Sequence, residues 1–143
     1  MLTAPPLPAQ EPLLLDSVSY IDARAHARVV VSGSHGGVSA AQFVLQAGCR
    51  PRLVLLNDAG VGKDAAGVAA LALLDAHDLP CACYAHTSAR IGEAADALAN
   101  GLIAHVNRAA HAMGLRVGQR VRDWARPGPA TWALGESPAR HSD

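Results

Sequence analysis

Short unbroken apolar runs alternate along the chain with longer segments in which apolar residues recur every three or four positions. The runs are RVVV at 28–31, RLVLL at 52–56 and CACYA at 81–85, and each leads into a stretch rich in Gly, Ser or polar residues. Runs apolar at every position belong to strands buried on both sides, as in parallel sheets covered by helices on both faces. LLLDSVSY at 13–20 reads as a further strand, and IDARAHA after it as a short helix.

Between the runs lie helix signals. Ser39 followed by Gln42 predicts a capping box, with Gly48 ending that helix. Asp64 predicts the N-cap of AAGVAALALLDAH, and Pro80 prevents its continuation. Ile91, Ala95, Leu98, Leu102, Val106, Ala109 and Met113 form one apolar stripe, which predicts a single long helix closed by Gly114. That helix carries His105 and His111 away from the loops, in surface or interface roles.

This alternation predicts an α/β fold: a small open parallel sheet of three to four strands with helices on both faces, Rossmann-like or flavodoxin-like. Residues 1–12 read as a flexible N-terminal arm, 13–116 as a single α/β domain and 117–143 as a C-terminal extension. The extension holds Trp124 and Trp132, indoles that are expected to pack on the domain or at an oligomer interface.

Composition refines this picture. Half of the residues are hydrophobic but only 3% are aromatic, so alanine, leucine and valine must build the core. Small side chains bury little area each, which favours further burial in a homo-oligomer. The formal net charge is zero, which gives no support to nucleic-acid binding. The local excess of Arg116, Arg120, Arg122 and Arg126 reads as a solvated or subunit-contacting face. The cysteines Cys49, Cys81 and Cys83 are odd in number and lack paired spacing, so a disulfide framework is not expected. No secretory n-region precedes an apolar stretch, and no run reaches the roughly 18–20 residues of a membrane span. A cytoplasmic protein without membrane contact is the expectation.

Candidate chemistry gathers in the loops after the strands, where open parallel sheets bind ligands and helix N-termini attract anions. SGSHGG supplies Ser32, Ser34, His35, Gly36 and Gly37; NDAGVGKD supplies Asn57, Asp58, Gly60, Gly62 and Lys63; HTSARIG supplies His86, Ser88 and Arg90. The opposite edge, AGCRP and HDLP, is plainer. Gly60-Val-Gly62-Lys63 imitates the end of a P-loop, yet Asn57 and Asp64 stand where Gly and Ser or Thr are required. The spaced glycines of a dinucleotide fold are also missing, so no cofactor is expected. His35, Asp58 and His86 could meet a metal, but no HExxH-like spacing supports one.

The residues therefore point to a hydrolase or lyase acting on a small anionic ligand. His35, Asp58 and Ser34 are its catalytic candidates. Lys63 and Arg90 would clamp the anion, with Ser32, Asn57 and Ser88 also in the binding set. The N–H groups of Gly36, Gly37, Gly60 and Gly62 would face developing negative charge. The alternative is a non-catalytic binding module or a subunit of a larger enzyme.

Overall fold

The computed structural model describes residues 11–125. Trp132, Arg126 and the first ten residues lie outside the described residues. The sheet has five strands: β1 (Leu13–Leu15), β2 (Val29–His35), β3 (Leu53–Asn57), β4 (Cys81–Tyr84) and β5 (Ile103–Val106). They lie side by side in the order 1-2-3-4-5, with β1 to β4 parallel and β5 antiparallel to β4. The α/β class and the buried parallel strands are as expected.

The strand beyond the expected count is β5, and it comes from the segment read as one long helix. That segment is α3 (Ala94–Asn100), β5 and α4 (Arg108–Met113). Gly101 breaks the helix. Its φ and ψ of −59° and 137° are extended, and a Cβ there would lie 2.6 Å from the Ala97 carbonyl oxygen and 2.8 Å from Val121 Cγ2. Asn107 then starts α4 by accepting from Ala110 N–H at 2.8 Å. The apolar stripe was compatible with a helix only because β5 is too short to contradict the spacing. Gly114, left-handed at φ 108°, does close α4.

Both faces of the sheet are covered. On one, Val30, Val54, Leu56, Cys81 and Cys83 pack under α1 (Val38–Gln46) and α2 (Ala69–Asp75) through Ala40, Ala41, Val44, Ala70 and Leu74. On the other, Val31, Leu53, Leu55, Ala82 and Tyr84 pack under Ala97 of α3, Ala110 of α4 and Val121, Trp124 and Ala125 of α5 (Val121–Ala125). Consecutive strand residues thus serve opposite cores, which is why the runs are apolar throughout. Each fully buried leucine or valine contributes about 1.5–3 kcal/mol of transfer free energy. The Trp124 indole N–H donates to Gln119 Oε1 at 2.8 Å, so its burial leaves no donor unpaired.

The sequential strand order determines where a crevice can form. Rossmann and flavodoxin sheets reverse direction within the strand order and bind ligands at the reversal. Here β1 to β4 step one way, and right-handed connections stepping one way stack on one face. The chain changes face only after β4, when it crosses to α3. The connections leaving β3 and β4 therefore part to opposite sides of the sheet, and the C-terminal ends of these two strands flank the change of face.

Helix starts differ from the expected ones. Gly37, not Ser39, is the N-cap of α1, because β2 pairs as far as His35 and the turn follows at once. Asp64 lies at φ 56° inside the 3₁₀ segment Lys63–Val68, and α2 begins only at Ala69. Gly48, at φ 72°, follows the end of α1 as expected. Among the described residues no helix is long and apolar enough to cross a membrane.

Asn107 ties three elements together at the opposite edge of the sheet. Its Oδ1 accepts from Cys81 N–H at 3.1 Å, and its Nδ2 donates to Leu71 O and Leu79 O at 3.2 and 3.0 Å. Removing one buried partner leaves the others unsatisfied at about 1–3 kcal/mol each. Asn107→Ala is expected to lower unfolding free energy by about 2–4 kcal/mol in urea denaturation, more than the ~1 kcal/mol of a lost helix cap alone.

Candidate functional site

The C-terminal ends of β3 and β4 are organised around one carboxylate. Asp58 follows β3 directly, and its backbone N–H donates to Tyr84 O at 2.9 Å, prolonging the pairing of β3 with β4. Its side chain is only 7% exposed. Oδ1 accepts from Gly60 N–H at 2.8 Å and from His86 N–H at 2.9 Å, and it lies 3.1 Å from His86 Nδ1. Oδ2 lies 3.6 Å from His105 Nε2. One side chain thus holds the loop after β3 to the loop after β4 and faces two imidazoles.

Burial opposes ionisation of Asp58, but the N–H groups of Gly60 and His86 and then the His86 imidazole outweigh it, and its pKa falls below the usual carboxylate value. An ionised carboxylate has no proton to give, so His86 Nδ1 is the donor at 3.1 Å. In the neutral ring Nε2 is then the basic nitrogen. The His86 side chain is 52% exposed, and it stands against Gly60, where a Cβ would lie 3.4 Å from its Cε1. Asp58 fixes the ring while solvent reaches it.

His105 joins this cluster through a bulge in β5. Ala82 pairs with Val106 and Cys83 with His105, but Tyr84 pairs with Ile103, so Ala104 is the extra residue. Bulges of this kind re-aim neighbouring side chains. The helical spacing of the apolar stripe hides His105 in the sequence, and Asn100-Gly101 is the signal that marks the break before β5.

Other expected site residues hold the fold instead. Asn57 Nδ2 donates to Ala89 O at 3.1 Å and its Oδ1 accepts from Ala59 N–H at 2.7 Å. Ser32 Oγ accepts from Ser34 N–H at 3.0 Å, and the Ser32 carbonyl accepts from the Tyr84 hydroxyl at 2.6 Å. Ser34 Oγ accepts from Val18 N–H at 2.9 Å, which draws it toward β1 rather than toward an imidazole. Ser88 Oγ donates to Ala85 O at 2.6 Å and accepts from Leu102 N–H at 2.9 Å. Burial pushes the Cys83 thiol up to about 12 and raises the Cys81 thiol as well, so neither is a ready nucleophile, and it also raises the Tyr84 phenol.

The loop glycines differ from one another. Gly36 N–H donates to Asn57 O at 2.8 Å, Gly60 N–H to Asp58 as above, and Gly62 N–H to Gly60 O at 2.8 Å. These three are bonded inside the fold rather than presented to a ligand. A Cβ at Gly36 would lie 2.7 Å from Cys83 Sγ, so close packing requires this glycine. Gly37 is the remaining candidate donor, at the N-cap of α1, and the exposed His35 folds over it, its Nε2 2.8 Å from where a Gly37 Cβ would stand.

The two candidate clamp residues lie on segments that lead to opposite faces of the sheet. Lys63 is exposed on the segment leading to the α2 face. Arg90, 81% exposed, leads to the α3 face, with Nη1 3.9 Å from Glu93 Oε2. Arg90 precedes α3, whose N-cap is Glu93. Among the described residues no three His, Cys, Asp or Glu side chains are disposed to hold a metal ion.

The loop between β3 and α2 is strained. Ala59, Gly60, Val61 and Gly62 have φ of 51°, 75°, 69° and 73°, and Asp64 and Ala65 follow at 56° and 58°. Left-handed backbone costs about 1–2 kcal/mol at a non-glycine residue, and β-branched Val61 is the least suited to it. The bonds of Gly60 N–H to Asp58 and of Val61 N–H to Asp58 O, at 2.7 Å, hold the turn in place. A Cβ at Gly67 would overlap the Asp58 carbonyl oxygen, so the 3₁₀ segment closes directly on the turn.

The chain matches no protein-family model, no curated protein and no solved structure.

A group whose pKa is lowered by folding adds stability above its unfolded pKa, about 3.9 for aspartate, and loses it as the pH falls through the lower folded value. Asp58→Ala also leaves two N–H groups unsatisfied. At neutral pH it is expected to lower unfolding free energy by about 1–3 kcal/mol. The gap between Asp58→Ala and wild type should narrow as the pH is lowered below about 4, measured by urea unfolding at a series of pH values. A gap independent of pH contradicts this account of the carboxylate.

Proposed function

We propose that the chain is a small-molecule enzyme of hydrolase or lyase type, moving a proton on a polar anionic metabolite at the C-terminal edge of the parallel sheet. The observation that carries this reading is the buried Asp58 carboxylate, held 3.1 Å from Nδ1 of a half-exposed imidazole, His86. A carboxylate in that position fixes the ring's tautomer and orientation and stabilises the imidazolium that forms when Nε2 takes a proton.

In this reading His86 Nε2 accepts a proton from water or from a substrate carbon or hydroxyl, and Asp58 stays ionised throughout. The same proton then passes from His86 Nε2 to the leaving group, which restores the neutral ring. Ser34 has no part as nucleophile, since its hydroxyl is bonded toward Val18 and not to either ring of the cluster. In hydrolysis water attacks. The α1 N-terminus at Gly37 and the cations Lys63 and Arg90 on the flanking segments favour an anionic ligand by their potential rather than as a formed clamp.

Turnover should be sought across a panel of small esters, amides and hydroxy acids, with ligand binding followed by thermal shift. His86→Gln and Asp58→Asn are expected to lower kcat by about 10²–10⁴-fold while the bound ligand still raises Tm. Full turnover in His86→Gln defeats the assignment. Ligand-induced stabilisation without turnover of any compound replaces the enzyme with a binding module.

A further inference from the structure

We propose that Arg120 binds the anionic group of the ligand held at Asp58, His86 and His105, and that this ligand is a small carboxylate with an apolar chain. The inference deepens the proposed function and rests on its placing the ligand beside His86. Ile103 N–H donates to Gln119 O at 2.8 Å and Val121 N–H to Gly101 O at 3.0 Å, which sets Arg120 directly opposite Leu102 at the start of β5. Leu102 O in turn accepts from Ala85 N–H at 2.8 Å, one residue before His86. Asp58, Ala85, Leu102 and Arg120 therefore follow one another across the rim of the sheet. Neighbouring strands lie about 4.8 Å apart, so the backbone of Arg120 stands about 10 Å from that of Ala85. An arginine side chain and a small ligand together span that distance.

Arg120 also faces the side of the sheet that His105 faces. Its two neighbours turn the other way: Val121 belongs to the core under α3 and α5, and Gln119 Oε1 accepts from the Trp124 indole of that core. Side chains alternate along extended backbone, which directs Arg120 to the α1 and α2 side. His105 pairs with Cys83, which packs under α1 and α2, so it shares that side. There the core ends at β4, and among the described residues none of β5 belongs to it. Leu102 is exposed and His105 half-buried, which leaves a shelf along β5 with an apolar floor at Leu102, imidazoles at one end and Arg120 at the other. Arg24, Arg90 and Arg108 each face a carboxylate of the fold, whereas Arg120, exposed, is in none of the ion pairs among the described residues. A guanidinium fork matches a carboxylate through two parallel hydrogen bonds, and Leu102 beside it suits the apolar chain of the same molecule.

Titration of the full chain with sodium butyrate, followed in ¹H–¹⁵N spectra, tests this. Saturable shifts are expected at the amides of Leu102 and His105 and at the Arg120 Nε–H, with butyrate bound at least about tenfold more tightly than butyramide or inorganic phosphate. Arg120→Gln should weaken butyrate by at least about tenfold and Arg120→Lys by less. Arg122→Gln, at an exposed position of α5, should leave it unchanged. No saturable binding, shifts confined to other residues, or an unchanged affinity in Arg120→Gln overturns the proposal. Phosphate or butyramide bound as tightly as butyrate overturns the ligand class. The titration needs no turnover, so the two readings fail separately. Butyrate held by Arg120 with no compound turned over removes the enzyme and keeps this site, whereas turnover with KM unchanged in Arg120→Gln removes this site alone.

Discussion

A single buried carboxylate joins two loops that would otherwise leave the sheet independently. Asp58 accepts the N–H of Gly60 from its own loop and the N–H and imidazole of His86 from the next. A buried carboxylate is tolerable only when its oxygens are satisfied, and here backbone donors supply most of that compensation. The same bonds help to hold a left-handed run of backbone that the side chains of Ala59 and Val61 disfavour. Strained turn, fixed imidazole and low carboxylate pKa are three consequences of one arrangement.

Topology explains why this arrangement falls between β3 and β4. The strands follow each other in order, so the connections before β4 share one face and those after it share the other. The two strand ends flanking the change of face are where the connections part to opposite sides of the sheet. Asp58 and His86 stand at those ends, and the antiparallel β5 brings His105 alongside through a one-residue bulge.

Much of this was legible in the sequence. The three apolar runs gave β2, β3 and β4, and Asn57-Asp58 after the second run marked a strand end carrying polar side chains. What could not be read was how each polar group divides its bonds. Ser32, Ser34, Asn57 and Ser88 look like ligand-binding groups in a string of letters, yet each completes a backbone bond in the fold. His105 was hidden for a different reason. An apolar stripe with helical spacing runs across Gly101, and only the steric demand of Ala97 and Val121 at that glycine reveals the break. Short strands carry too few residues for their own period to outweigh a longer pattern on either side.

The most direct test of the central role given to Asp58 is an acid titration followed by the backbone amide signals of Gly60 and His86 in ¹H–¹⁵N spectra. If one carboxylate accepts from both, the two signals must move together, with a single midpoint below the ordinary aspartate value of about 3.9, and must stop responding in Asp58→Asn. Separate midpoints, or a common one at or above that value, would contradict the account.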